Sequence, residues 1–282
     1  MAVQIIVDST ADFSAKEIEK RQITCIPMTV TFGNEQYIDG VDLTKEEFFV
    51  KLMNEKEFPK TSQPSPAKFA ECFEEAKENG DDVVAILVSG ALSGTVQSAT
   101  IAKDIAEHEG VYIVDSNTVT LGIRLLVDHA VRMRDQGKSA AEIVERLEEL
   151  KDRVRIYAGL DTLEYLQKGG RISKAAASLG RLAGIKPIIT IDEEGKVAMC
   201  GKQRGNKNVF RQIIKYIDAE MPDENYSVYF LYSADKKNCI SFIQTLQKNG
   251  LDFGKIKTRE IGPTVGSHIG PGGFGIVYVA NK

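Results

Sequence analysis

Hydroxyl side chains, rather than a set of catalytic groups, are concentrated in the loops of this sequence. Ser9 and Thr10 follow a short apolar run, and Ser116 follows another. Serine, threonine and aspartate commonly cap helices at such places, and we favour that role for these three residues. Thr61 and Ser93 lie in loops that are richer in turn residues than a cap requires. For these two hydroxyls the pattern favours contact with a ligand.

One of the three histidines, His268, lies in the segment Ile261–Ile276, which holds six glycines and two prolines. Strand-like runs at Lys255–Glu260 and Ile276–Ala280 flank this segment, so both of its ends are tied down. Glycine allows positive φ or close approach of a ligand to the backbone, and proline fixes the bends. We therefore predict a binding loop on a rigid scaffold, with His268 as its titratable side chain.

Two basic segments are candidates for anion binding. Lys168-Gly-Gly-Arg171 combines a guanidinium with flexible backbone, which suits an anion, although Gly169 is equally typical of a helix end. Arg204 lies in a second basic run just before a predicted helix. That run indicates either a phosphate site or the charged edge of a hairpin.

Motifs for the common cofactors are missing from the sequence. No G-x-G-x-x-G follows the first predicted strand, and no G-x-x-x-x-G-K-[ST] occurs. The segment Gly90–Gly94 has the spacing G-x-x-S-G, which departs from the G-x-S-x-G of a nucleophile elbow. Four widely separated cysteines predict buried, reduced thiols rather than metal ligands or disulfides. We expect neither a metal nor a cofactor.

Charge and length narrow the class of protein. The chain has 282 residues, with 36 basic and 40 acidic side chains and a net charge of −4. Nucleic-acid-binding surfaces need a basic excess, so we expect no nucleic-acid partner. We expect no membrane-spanning helix, and the expected reduced thiols favour a cytoplasmic location. The length suits two modest domains.

Strands alternate with helices in the elements that must position these loops. Val3–Val7, Val83–Val88 and Val111–Val114 are buried strands that end in polar loops, and Ile23–Phe32 is strand-like. Capping boxes that begin at Ser14, Thr44 and Ser139 mark helix starts, a helix is expected over Thr118–Gln136, and a hairpin joins Lys186–Ile191 to Lys196–Lys202. This pattern predicts an α/β fold with a mainly parallel sheet, whose ligands bind at the carboxyl ends of strands. We place an N-terminal α/β domain at 1–155 and a C-terminal α/β domain at 156–282.

The order and spacing of these segments resemble the DegV family of bacterial fatty-acid-binding proteins, also called fatty acid kinase B. The resemblance covers essentially the whole chain. Each matching segment is short, and their order and spacing make the match specific. The matching segments are Ile6–Asp12, Thr61–Pro66, Ser89–Thr95, Val114–Ser116, Leu166–Ser173, Lys186-Pro187 and His268–Gly272.

The resemblance implies two α/β domains with a long-chain fatty acid buried between them. Thr61, Ser93 and His268 are then the expected carboxylate ligands. Arg171 is expected near the head group, and Arg204 is expected to serve a partner kinase. The ligand loops would contain Ser62, Gly94, Gly170 and Gly270. Such a protein is not itself an enzyme, and it presents its lipid to a separate ATP-dependent fatty acid kinase subunit that forms an acyl phosphate for phospholipid metabolism. Transient contact with a membrane is compatible with that role.

Two other functions remain open from the residues. An acyl hydrolase could use Ser93 and His268, with Asp8 or Asp115 orienting the imidazole. A binder of phosphorylated metabolites could use Arg171 and Arg204, but it would not account for an apolar cavity.

Overall fold

A computed structural model of the chain describes residues 2–55, 57–173, 184–254 and 256–281. Its first sheet is built around the apolar run near the N-terminus, β1 (Val3–Asp8). β1 pairs in parallel with β2 (Ile23–Ile26) and with β6 (Asp82–Leu87), and β6 pairs in parallel with β7 (Val111–Asp115). Strands that are covered on both faces need apolar side chains throughout, which is why β1 and β6 read as continuous apolar runs.

Helices cover both faces of this parallel sheet. Ile5 and Val7 of β1 pack with helices on one face, whereas Ile6 points to Phe69 and Phe73 on the other. The capping boxes predicted at helix starts are present. The helices of this layer are α1 (Ala15–Arg21), α3 (Pro66–Asn79), α4 (Thr95–Ala106), α5 (Leu121–Asp135) and α6 (Ala140–Lys151).

A second sheet of six strands is mixed, so the expectation of mainly parallel strands is wrong for this half. Its order is β10-β9-β8-β13-β11-β12, and among these strands only β11 and β12 pair in parallel in the described chain. Short hairpin connections, such as the predicted one between β9 and β10, impose antiparallel pairing. The strands are β8 (Val154–Gly159), β9 (Ile185–Ile191), β10 (Val197–Arg204), β11 (Tyr229–Tyr232), β12 (Lys257–Glu260) and β13 (Phe274–Val279).

The two faces of the second sheet have different partners. Helices α8 (Asn206–Ala219) and α9 (Lys237–Lys248) cover one face and enclose a core rich in phenylalanine. The other face contributes Ile156 and Val277 to the same hydrophobic cluster as β1 and α5. The core is therefore continuous across the two sheets.

A small third sheet, with order β4-β3-β5, packs under α2 (Lys45–Asn54). Its strands are β3 (Thr29–Phe32), β4 (Glu35–Ile38) and β5 (Lys60–Ser62). The single strand expected over Ile23–Phe32 is wrong, because the chain divides into β2 and β3 at Pro27. Proline has no N–H to donate to a sheet, so it ends one ladder before the next begins.

The glycine-rich C-terminal segment is not simply a loop, because it contains helix α10 (Pro263–Ile269). Pro263 occupies the first turn, where the missing N–H carries no penalty, and Gly270 ends the helix with a φ of 71°. Gly266 faces the Phe48 and Phe49 rings, and a Cβ at that position would lie 2.7 Å from Phe48. Here glycine permits close packing of a helix rather than a flexible loop.

Other boundaries shift by a few residues. The helix expected from Thr118 begins at Leu121, and β12 begins at Lys257. The chain enters the second sheet at Val154, close to the expected domain boundary, although the division into 1–155 and 156–282 stays a prediction. Helix α7 (Glu164–Lys168) precedes the basic glycine segment as expected. The sequence also predicts a helical segment after Arg171, and that segment lies largely outside the described residues.

Candidate functional site

A cavity of about 340 Å³ lies where the carboxyl ends of the parallel strands face the second sheet. Its volume is within the range of about 300–1,000 Å³ that is typical of small-molecule sites. Both halves of the chain contribute aliphatic side chains to its wall, among them Val88, Leu92, Val119, Ile156, Leu160 and Ile189. A wall of this kind suits an apolar ligand.

The three predicted head-group residues all line this cavity. Thr61 lies on β5 rather than in the expected loop, and its Oγ1 is 2.9 Å from Nε2 of His268. Ser93 lies just before α4, and its Oγ is 2.8 Å from the buried Thr95 Oγ1. These residues come from the third sheet, the β6–α4 loop and α10. The fold therefore brings together hydroxyl and imidazole groups that are far apart in sequence.

His268 is held as a neutral imidazole. Burial, and secondarily the positive charge of Arg171, lowers the pKa of His268 to about 4. Its Nδ1 is buried and has no hydrogen-bond partner within the described part of the chain. Gly169 packs directly against this ring, because a Cβ there would overlap Nδ1. Near neutral pH the ring therefore carries one proton, and Nε2 is the nitrogen that faces Thr61.

Arg171 supplies a half-buried positive charge to the cavity wall. Its Nε donates to the Leu92 carbonyl at 3.0 Å, and its Nη1 donates to the Gly169 carbonyl at 2.6 Å. No carboxylate among residues 2–55, 57–173, 184–254 and 256–281 forms an ion pair with it. Burial alone lowers the pKa of this guanidinium. A desolvated cation whose hydrogen bonds within the described residues go to two carbonyls is well suited to receive an anionic ligand.

Gln63 is a cavity-lining residue that sequence reasoning missed. Its Nε2 donates to the Gly94 carbonyl at 3.1 Å and to Ser98 Oγ at 2.9 Å. These bonds hold the chain after β5 against the start of α4. They thereby fix the position of Thr61 relative to Ser93. A Cβ at Gly94 would overlap the Gln63 amide, which explains the glycine there. The only signal in the sequence was its place in the Thr61–Pro66 motif.

The other expected site residues lie at different distances from the cavity. Ser62 is exposed and lines the cavity. Gly170 and Gly270 are absent from its wall, and a Cβ on Gly270 would overlap the Tyr165 ring. Arg204 is exposed at the end of β10 and also lies off the cavity wall. Its role toward a partner stays a prediction.

Three threonines of the wall donate their hydroxyl protons to buried aspartates. Thr120 Oγ1 donates to Asp12 at 2.5 Å and Thr264 Oγ1 donates to Asp39 at 2.6 Å. Thr10 Oγ1 likewise donates to Asp8. Thr120 adopts a φ of 51°, which is rare for a β-branched residue. Because each hydroxyl has one proton, these three threonines offer the cavity no free donor.

Asp8, rather than Ser9 or Thr10, caps the short 3-10 turn after β1. Its Oδ1 accepts from the Thr10 amide at 2.9 Å and its Oδ2 accepts from the Val88 amide at 2.7 Å. Burial raises the pKa of this carboxyl. The expectation that Ser9 and Thr10 are themselves helix caps is therefore wrong, because the preceding carboxylate takes that position.

The geometry does not build a hydrolase triad from the described residues. The hydroxyl of Ser93 is paired with Thr95, and the imidazole of His268 is paired with Thr61. Asp115 accepts from the amides of Gly90 and Asn117, and Asp8 is engaged in its own turn. Neither carboxylate hydrogen-bonds to the imidazole. What the site offers is a set of donors and one cation at the end of an apolar cavity.

Comparison with known proteins identifies the class. The DegV family model matches residues 2–281, so the chain belongs to the DegV family, as its resemblance predicted. A DegV domain-containing protein of Caldanaerobacter subterraneus subsp. tengcongensis is 34% identical over 276 residues, covering 98% of each chain.

Solved structures agree with this family and confirm the α/β fold. A DegV family protein from Thermus thermophilus, described as binding fatty acid, superposes with a TM-score of 0.89 at 33% identity, covering 100% of both chains. A stearic-acid-binding protein from Eubacterium ventriosum superposes with a TM-score of 0.88 at 31% identity, covering 99% of this chain and 98% of its own. Across the described ranges, none of the helices has the length and apolar character needed to cross a bilayer.

Proposed function

We propose that this protein binds one long-chain fatty acid, with the carboxylate at Thr61, Ser93, His268 and Arg171. The observation that carries the proposal is the pairing of an aliphatic cavity with hydroxyl groups and a guanidinium that has no carboxylate partner among the described residues. The fatty-acid-binding relatives from Thermus thermophilus and Eubacterium ventriosum support it.

Burial of the acyl chain supplies the binding energy. A chain of roughly sixteen carbons has about fourteen methylenes, each worth roughly 0.8 kcal/mol, or on the order of 11 kcal/mol before the costs of binding. An unpaired carboxylate in the same dry site would cost several kcal/mol. Burial of the tail therefore supplies most of the affinity, and the polar residues offset the cost of burying the carboxylate and determine which end of the lipid lies at Ser93.

The protons at the head group follow from the pairs already present. A hydroxyl has one proton, so if Thr61 and Ser93 donate to the carboxylate while keeping their present partners, the partner must be the donor in each pair. His268 would then donate to Thr61 through Nε2–H, and Thr95 would donate to Ser93. Both supporting donors are neutral, and Arg171 supplies the compensating charge. The neutral state of His268 is thus part of the binding site.

We further propose that the bound lipid is presented to a separate ATP-dependent fatty acid kinase subunit, which forms an acyl phosphate. The missing P-loop motif and the exposed Arg204 support a division of labour in which the partner brings the nucleotide. Guanidinium groups stabilise transferring phosphoryl groups and can steer docking of an anionic partner. We assign this system to the cytoplasm, with transient membrane contact when the lipid is exchanged, and to phospholipid metabolism.

Mass spectrometry of the purified protein after denaturation tests the primary assignment. We expect release of a free long-chain fatty acid, and micromolar or tighter binding of a fluorescent fatty acid after delipidation. Acyl groups attached to Ser93 would instead support the hydrolase, and a phosphate ester would support the metabolite binder. A folded, lipid-free protein that fails to bind the fluorescent fatty acid would overturn the proposal.

A further inference from the structure

Two buried carboxylates from the N-terminal half hold the start of helix α10. Asp39 Oδ2 accepts from Thr264 Oγ1 at 2.6 Å and from the Thr264 amide at 3.4 Å. Asp12 Oδ1 accepts from the Gly262 amide at 2.6 Å. Both aspartates are 5% exposed, and neither lines the cavity. Their negative charge lies at the positive end of the helix, where it is stabilising.

Asp39 is itself fixed from the other side. Ser9 Oγ donates to Asp39 Oδ2 at 2.9 Å and accepts from the Met28 amide at 3.0 Å. The Asp39 amide donates to the Met28 carbonyl at 2.9 Å. The carboxylate that holds α10 is therefore anchored to Met28, which lies just before β3, and to Ser9, which begins the turn after β1. Both residues belong to the N-terminal half.

The contact made by Asp39 is transmitted to the head-group site through one turn of helix. Thr264 and His268 are four residues apart on α10, so they lie on the same face of the helix. The 2.9 Å contact between His268 Nε2 and Thr61 Oγ1 depends on where that helix lies against β5. A shift of the first turn would move the imidazole away from Thr61.

We propose that Asp39, supported by Asp12, is a positioning residue that holds His268 in register with Thr61. Its part in lipid binding rests on the proposed function, whereas its part in placing the imidazole does not. The sequence motifs predict that His268 belongs to the site. The Asp39 carboxylate, which bonds to the first turn of α10, determines where the imidazole ring lies.

The groups that face Asp39 make its action depend on pH. Asp12 approaches Asp39 from the turn after β1, and the charges of Asp8, Asp12 and Asp39 all act on the Cys25 thiol of β2. Lys45 on α2 donates to Asp12 at 3.4 Å and to the Glu260 carbonyl at 2.6 Å, with the Glu260 carboxylate on β12 nearby. Burial, reinforced by the charge of Asp12, raises the pKa of Asp39 to about 6, although the Thr264 hydroxyl opposes this.

The direction in which pH changes lipid affinity follows from the strength of the hydrogen bonds that Asp39 accepts from α10. Above pH 6 Asp39 is charged, and charged acceptors make bonds roughly twice as strong as neutral ones. Below pH 6 the neutral carboxyl holds α10 more weakly. We therefore expect fatty-acid affinity to fall by about threefold or more as the pH is lowered from about 7.5 to 5.5.

The test compares Asp39→Asn with Asp104→Asn, which makes the same change in charge at an exposed position of α4. A fluorescent fatty acid is titrated into each protein across the pH range. We expect Asp39→Asn to bind about three- to tenfold more weakly at pH 7.5 and to lose the pH step, because its amide cannot titrate. The control should keep both the affinity and the step. Asp8 and the carboxyl group of the lipid titrate in both variants. Their contribution to the pH dependence of binding therefore cancels when the two variants are compared.

A second measurement uses no lipid and therefore separates this inference from the proposed function. The chain has three histidines, so nitrogen-detected NMR of the rings gives three sets of signals. Asp39→Asn and Thr264→Val should shift the His268 signals while leaving those of His108 and His129 in place. Unmoved His268 signals in both variants, or a wild-type pH profile in Asp39→Asn, would overturn the assignment. Failure of wild-type protein to bind lipid would instead reject the proposed function.

Discussion

The hydroxyl pair formed by Ser93 and Thr95 allows a sharp test of the head-group site. Thr95 is fully buried and does not line the cavity, so its contribution to binding can act only through its neighbours. Its Oγ1 lies 2.8 Å from Ser93 Oγ and 3.9 Å from the sulfur of Met28. Thr95→Val keeps the shape of the side chain and removes the proton that Ser93 accepts when it donates to the lipid.

The expected magnitude follows from the type of hydrogen bond that is lost. A neutral hydrogen bond contributes about 1 kcal/mol, so Thr95→Val should weaken fatty-acid binding by about fivefold. Ser93→Ala removes a donor to a charged group, worth roughly 1.5–3 kcal/mol, and should weaken binding by about ten- to a hundredfold. If Thr95 acts only through Ser93, the double variant should bind no worse than Ser93→Ala alone.

Fluorescence titration with a long-chain fatty acid measures all four proteins of this cycle, and thermal unfolding checks that each is folded. A loss for Thr95→Val that exceeds the loss for Ser93→Ala would refute the reasoning, because Thr95 would then act by a route other than Ser93. Additive losses in the double variant would also refute it. An unchanged affinity for Thr95→Val would mean that Ser93 needs no supporting donor.

Three further outcomes are expected. Arg204→Ala should leave fatty-acid binding within about twofold, since it removes no cavity wall, and should lower acyl-phosphate formation with a cognate kinase by roughly tenfold in a coupled assay. His268 has its pKa lowered to about 4, so the unfolded chain binds more protons between about pH 4 and 6.5, and the unfolding free energy should decline as the pH falls through that window. Urea titrations at pH 5 and 7 should show a smaller decline for His268→Gln, and His129, whose pKa is also about 4, contributes to the decline that remains. Gly266→Ala should destabilise the fold by about 1–3 kcal/mol in the same assay, because its Cβ would lie 2.7 Å from Phe48.

Much of the parallel half could be predicted from the sequence because local patterns determine it. Buried strands such as β1 and β6 are continuous apolar runs, and two of the helices around them, α1 and α6, begin with capping boxes that need only four residues to recognise. The family resemblance then grouped Thr61, Ser93 and His268, which the structure brings to one cavity. None of these three residues identifies its neighbours by local spacing alone.

The parts that sequence reasoning missed depend on contacts between distant segments. The glycines and prolines of α10 predict a binding loop with positive φ or close approach of a ligand, whereas Gly266 lies in a helix and is small enough to accept the rings of α2. Asp39 bonds to Thr264 across 225 residues, and Gln63 reaches α4 across 35. Such partners become visible only when the chain is folded.

The cavity wall contains aliphatic positions that tolerate substitution and threonine positions that do not. An aliphatic residue such as Ile156 or Ile189 can exchange for a larger or smaller one, which alters the length of chain that fits. Thr120 cannot be exchanged so freely, because replacing it leaves Asp12 buried with one donor fewer and releases a backbone held at φ 51°. Selectivity for different acyl chains should therefore diverge among relatives through the aliphatic positions, while the threonine–aspartate pairs stay constant.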